Sequence, residues 1–165
     1  MACAVRVNGV VAESIVDGPG FRYTLFTQGC PHRCPGCHNP ETHDFSGGSM
    51  MEIDEILAEL RQNPLLDGVT FSGGEPFCQA DALADLAEQV HGMGLSVMSY
   101  SGWTLEELTR MGEADPGVAR LLKQSDYLVD GRFVLAERDL DLLFRGSRNQ
   151  RFWKKKDGAF VPYEE

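Results

Sequence analysis

No stretch of this 165-residue chain approaches the roughly 20 consecutive apolar residues that cross a bilayer. Met1 to Val11 also lacks the continuous apolar region of a signal peptide, because Cys3, Arg6 and Asn8 interrupt it. A soluble, cytoplasmic protein with no membrane partner is therefore expected. Basic residues are scarce too: 15 Lys and Arg stand against 25 Asp and Glu, a formal charge of -10. Such a chain repels a phosphate backbone, which argues against nucleic acid as a partner. Internal repeats and low-complexity tracts are missing, and so is an even number of cysteines. Of the five, three fall within eight residues, separated by Pro, His, Arg and Gly. That pattern fits a disulfide framework poorly and a metal or cluster loop well, in a reducing compartment.

The 42% hydrophobic content is enough for one packed core, so one domain spanning residues 1–165 is expected. Phe21 to Gln28 is rich in aromatic and β-branched residues and stops at Gly29, which predicts a strand. Glu52 to Gln62 places Ile53, Ile56, Leu57 and Leu60 at helical spacing before Asn63 and Pro64. Gly68 to Ser72 predicts a short strand, followed by the turn Gly73-Gly74-Glu75-Pro76 and a helix carrying Leu83, Leu86, Ala87 and Val90 on one face. Leu95 to Tyr100 is the next strand. Thr104 to Met111 is a short helix with Glu107 three residues after its cap, Asp115 to Gln124 another helix, and Tyr127 to Asp130 a strand. Strands alternating with helices predict an α/β fold with an open parallel sheet and outer helices. A closed eight-fold barrel takes about 250 residues, so an incomplete, partial βα barrel is expected, with a loop-rich segment from about residue 131 onward.

Gly29-Cys30-Pro31-His32-Arg33-Cys34-Pro35-Gly36-Cys37-His38-Asn39-Pro40 holds too many Gly and Pro for a helix. Three thiolates in a tight loop can hold three corners of a cubane iron-sulfur cluster and leave the fourth iron open to a substrate. The loop alone also admits a closed zinc site made from Cys30, Cys34 and Cys37 with His32, His38 or His43.

The cysteine spacing, with Gly-Gly-Glu-Pro after a later strand, resembles the radical S-adenosylmethionine superfamily. Asp17-Gly18-Pro19-Gly20-Phe21-Arg22 and Cys37-His38-Asn39-Pro40-Glu41-Thr42 are similar to segments of the activating enzymes of glycyl-radical enzymes. Val129-Asp130-Gly131-Arg132-Phe133 and Arg145-Gly146-Ser147-Arg148-Asn149-Gln150-Arg151 narrow the resemblance to the activators that serve anaerobic ribonucleoside-triphosphate reductase. The resemblance implies a 4Fe-4S cluster on Cys30, Cys34 and Cys37, with S-adenosyl-L-methionine as cosubstrate. It implies reductive cleavage to a 5′-deoxyadenosyl radical, which places a glycyl radical on the large subunit of that reductase. A flavodoxin or ferredoxin would donate the electron. An activator of formate-lyase type is the alternative within the superfamily.

By the same resemblance Gly36, Cys37 and His38 lie along the adenosine side. Gly73 and Gly74 let their backbone approach the cosubstrate, and the Glu75 carboxylate accepts a charge-assisted hydrogen bond from its ammonium. Many superfamily members carry an aromatic residue just before the last cysteine, where this chain has Gly36, so ring stacking from that position is unavailable. Without the resemblance, residues 73–76 read as a strand-to-helix turn and residues 17–20 as a surface turn. Arg22 either pairs with a carboxylate or steadies its loop, and Tyr100, Ser101 and Gly102 line the pocket or form a loop. His32 and His43 are expected as exposed loop residues and Cys78 as a small buried one, while Cys3 has no assigned role. Residues 145–156 hold six basic side chains, read first as a solvated tail and otherwise as a partner surface or a clamp over the cosubstrate.

Overall fold

Buried Val5 and Val7 alternate with the more exposed Arg6 and Asn8, and this two-residue period makes the first strand, β1 (Ala4–Ser14). The computed structural model describes residues 4–37 and 39–163. β1 pairs antiparallel with β2 (Arg22–Thr27) on one side and with β3 (Ser49–Glu52) on the other. β2 then begins a parallel run with β4 (Gly68–Gly73), β5 (Ser96–Tyr100) and β6 (Tyr127–Asp130). An antiparallel hairpin of β7 (Arg151–Lys156) and β8 (Ala159–Pro162) completes an open sheet of order β3-β1-β2-β4-β5-β6-β7-β8.

The sheet is thus mixed rather than wholly parallel. Its parallel centre matches the predicted strands, but four antiparallel strands border it. The C-terminal segment is loop-rich only as far as Gln150, after which the chain returns to the sheet.

Four helices connect the parallel strands: α1 (Ile53–Arg61), α2 (Ala80–Gly92), α3 (Leu105–Ala114) and α4 (Pro116–Gln124). The faces predicted for α1 and α2 are the buried ones, through Ile53, Ile56, Leu57 and Leu60, and through Leu83, Leu86, Ala87 and Val90. Each large aliphatic side chain contributes about 1.5–3 kcal/mol when fully buried. Thr104 and Glu107 form the expected capping box on α3, which runs three residues past its predicted end. Asp115 caps α4 by accepting from the N–H groups of Gly117 and Val118. Among the described residues no helix is long and apolar enough to cross a membrane.

Because β2, β4, β5 and β6 run parallel, their C-terminal ends meet at one edge of the sheet. The segments following them, 28–48, 74–79, 101–104 and 131–150, gather there. Ligands in open α/β sheets bind at such an edge.

Candidate active site

A cavity of about 610 Å³ opens at this edge, with Cys30, Cys34 and Cys37 on its wall facing Gly73, Gly74 and Tyr100. The three cysteines are free thiols; Cys30 is buried and the other two are half-buried. Backbone bonds shape their loop: Gly29 N–H donates to Thr42 O at 2.7 Å, Cys30 N–H to His43 O at 3.2 Å and Cys37 N–H to Cys34 O at 3.1 Å. Burial pushes the Cys30 thiol up, while the N–H groups of His32 and Arg33 pull it the other way. The Asn39 N–H donates to Cys37 Sγ at 3.4 Å. Among the described residues no three His, Cys, Asp or Glu side chains converge on a point where one metal ion would sit.

The glycine turn lies beside this loop because the β2–β4 pairing continues past both strand ends. Gly74 N–H donates to Thr27 O at 2.9 Å, and Glu75 N–H to Gly29 O at 2.8 Å. Gly73 has φ +87°, and a Cβ there would stand 2.6 Å from Thr27 N; at Gly74 it would stand 2.5 Å from Gly29 O. Both obstructions are backbone, so they cannot swing aside. Gly73→Ala is expected to destabilise the protein by roughly 1–3 kcal/mol, the range for a residue forced into a sparsely populated conformation. Urea unfolding reads the effect, and an unchanged midpoint would refute the steric argument.

Glu75 and Gly36 do not line the cavity. The Glu75 carboxylate is fully buried and accepts four hydrogen bonds from the protein. Gly36, at φ +75°, sits against Leu135 and lies off the cavity wall. His38 and Cys3 lie outside the described residues.

His32 is not an exposed loop residue. Its side chain is 5% exposed, its ring nitrogen Nε2 donates to Glu75 Oε1 at 2.6 Å, and its ring meets Trp103 edge-on. His43 lines the cavity, half-buried. Cys78 is exposed rather than buried, since it follows Phe77 in a short 3-10 turn that carries its side chain away from the core.

Arg22 steadies its loop. The guanidinium is 1% exposed, and its bonds all end on neutral oxygens: Thr70 Oγ1, Pro19 O, Ser96 Oγ, Val69 O and Ser96 O, at 2.7–3.2 Å. Burial pushes it down to about 10, so it remains a cation at neutral pH. Thr70 Oγ1 in turn donates to Asp17 O at 2.7 Å, which brings Val16 and Asp17 to the cavity wall.

Residues 145–151 are not a solvated tail. Gln150 Oε1 accepts from the N–H groups of Gly146 and Ser147, and Gln150 Nε2 donates to Gly131 O. Asn149 Nδ2 donates to Arg132 O, and the fully buried Ser147 accepts from Val134 N–H. The two late motifs are therefore fastened to each other. Arg151 pairs with the buried Asp130 and with Glu106, which it holds down to about 2. Tyr100, kept protonated as burial pushes its phenol up, donates to Phe144 O at 2.8 Å. Leu140, Leu142, Phe144 and Arg145 thereby become one wall of the cavity. Sequence reasoning missed this wall, as well as the His32 contact. The Arg-Gly-Ser-Arg-Asn-Gln-Arg segment was the available signal for the wall; nothing local marked the partner of His32.

Comparison with known proteins gives the family. Residues 16–153 match the family described as a 4Fe-4S single cluster domain. The anaerobic ribonucleoside-triphosphate reductase-activating protein of Salmonella typhi is 38% identical over 156 residues, 88% of this chain and 96% of that protein. Its counterpart in Escherichia coli strain K12 is 35% identical over 82% of this chain and 90% of that one. The pyruvate formate-lyase-activating enzyme of Clostridium pasteurianum is 40% identical over 95 residues, 54% of this chain and 40% of the enzyme. Taken with the thiol-lined cavity, these matches show that the chain belongs to the 4Fe-4S single cluster domain family, among the anaerobic ribonucleoside-triphosphate reductase-activating proteins.

Proposed function

We propose that this chain is a radical S-adenosylmethionine activating enzyme whose target is the large subunit of anaerobic ribonucleoside-triphosphate reductase. The observation that carries the reading is the placement of three free thiols and the Gly73-Gly74 backbone around one cavity. When bound, a 4Fe-4S cluster supplies the electron that splits S-adenosyl-L-methionine into methionine and a 5′-deoxyadenosyl radical. Cys30, Cys34 and Cys37 hold the cluster, and Gly73 and Gly74 present bare backbone to the cosubstrate. His38, Gly36 and the Cys37 backbone are assigned to its adenosine side. Leu140, Leu142 and Phe144 give the cavity an apolar wall beside the cosubstrate. A hydrogen atom then passes from the α-carbon of a glycine in the partner to the 5′-carbon, giving 5′-deoxyadenosine and a glycyl radical. Glycine suits this role because no side chain shields its α-carbon.

The reductase is favoured over a formate-lyase target because the match to its activators extends over nearly their whole length, 96% and 90% in the two cases above. The match to the lyase activator covers 40% of that enzyme. We read β2, β4, β5 and β6 as the wall of a partial βα barrel within one domain, working in the cytoplasm with a flavodoxin or ferredoxin as donor. Anaerobically reconstituted protein, mixed with S-adenosyl-L-methionine, a reductant and the reductase large subunit, is expected to give the doublet resonance of a glycyl radical. Cleavage of the cosubstrate with no such signal would overturn the choice of target.

A further inference from the structure

The Glu75 carboxylate is a junction. Its Oε1 accepts from three donors: His32 Nε2 at 2.6 Å, Gly102 N–H at 2.8 Å and Ser101 Oγ at 3.0 Å. Its Oε2 accepts from Phe77 N–H at 3.1 Å. His32 belongs to the cysteine loop, Ser101 and Gly102 follow β5, and Glu75 itself follows the Gly73-Gly74 turn. Three segments that reach the cavity separately are therefore tied to one buried carboxyl group. Removing a donor from a buried acceptor of this kind costs free energy.

The His32 ring is confined on its other sides. It meets Trp103 edge-on, with centroids 4.7 Å apart. It also fills the space a side chain would occupy at Gly102, where a Cβ would collide with the imidazole carbon Cδ2.

We propose that His32 is a positioning residue for S-adenosylmethionine cleavage, acting through Glu75 to fix the cysteine loop against the Gly73-Gly74 turn. This role rests on the function proposed above. Transfer of one electron to a sulfonium depends on where the cosubstrate sits relative to the cluster. The loop carries one of these partners and the turn receives the other. His32 also reaches the cavity wall, and its role here is to set the distance between the two supports.

The test uses the anaerobically reconstituted full chain, with dithionite as reductant and no partner protein. His32→Phe keeps a ring against Trp103 and removes the donor, whereas His32→Gln keeps a donor. H32F is expected to retain wild-type iron and sulfide while its kcat for cleavage falls about 100-fold, the scale of a 1 Å misplacement. Its KM for S-adenosyl-L-methionine should move by less than about threefold. The change that S-adenosyl-L-methionine causes in the reduced cluster's paramagnetic resonance spectrum should also differ from wild type. H32Q should recover to within about tenfold of the wild-type rate. A wild-type rate and spectrum for H32F, or an H32Q no better than H32F, would overturn the proposal. If H32F fails to take up the cluster, Ser101→Ala serves instead. It removes a donor to the same oxygen from outside the loop, with an expected loss of about tenfold in kcat; an unchanged rate in S101A overturns the role. Absence of cluster or cleavage in the wild-type protein would instead defeat the function on which this rests.

Discussion

Cys34→Ala is expected to abolish cluster binding and S-adenosylmethionine cleavage together while the polypeptide stays folded. The Cys34 side chain is half-buried on the cavity wall and belongs to no core cluster, and its contribution to the loop's shape is its carbonyl, which accepts from Cys37 N–H. Alanine keeps that carbonyl. The metal-free variant should therefore unfold within about 0.5 kcal/mol of the metal-free wild type, as substitutions away from packing features do. Iron and acid-labile sulfide should fall to the background of unreconstituted protein, and formation of 5′-deoxyadenosine should fall with them. Two remaining thiolates cannot hold a cubane against exchange with solvent. Full cleavage activity in C34A would remove the basis for the proposed chemistry.

Arg22→Met should have the largest effect on stability. The guanidinium is buried with neutral oxygens as its hydrogen-bond acceptors, and it joins the loop before β2 to β4 and β5. Methionine fills much of the same volume but leaves the Pro19, Val69 and Ser96 carbonyls without this donor. Hydrogen bonds to charged groups contribute about 1.5–3 kcal/mol each and are not additive, so a loss of roughly 3–5 kcal/mol is expected in urea unfolding of the metal-free protein. Arg22→Lys should restore only part, because one ammonium cannot reproduce the planar fork. A loss below about 1 kcal/mol for R22M would show that the loop is held by something else.

The centre of the fold was legible in the sequence because its signals are local. β2, β4, β5 and β6 are compact runs bounded by turn residues, and α1 and α2 carry apolar side chains at helical spacing. The borders were harder. β1 follows an apolar alternation interrupted by Gly9, which weakens the two-residue period at its middle. β7 hides Phe152, its buried residue, among lysines that suggest a solvated tail. The Asp157-Gly158 pair, both at positive φ, was the readable mark of the β7–β8 hairpin.

The site divided in the same way. The cysteines and glycines announce themselves by spacing and by a resemblance extending over most of the chain. Glu75 was identified as important, but its orientation was not, because that depends on His32, 43 positions away, and on Ser101, 26 positions away. No periodicity reports a contact of that kind.

The sheet also limits how a partner can approach. Its end strands, β3 and β8, are four residues long, about 14 Å at roughly 3.4 Å per residue, and β8 closes on Pro162, which has no N–H to offer. β3 pairs only with Ala4–Val7 of the eleven-residue β1, so the remainder of β1 offers an added chain a longer template than either end strand does.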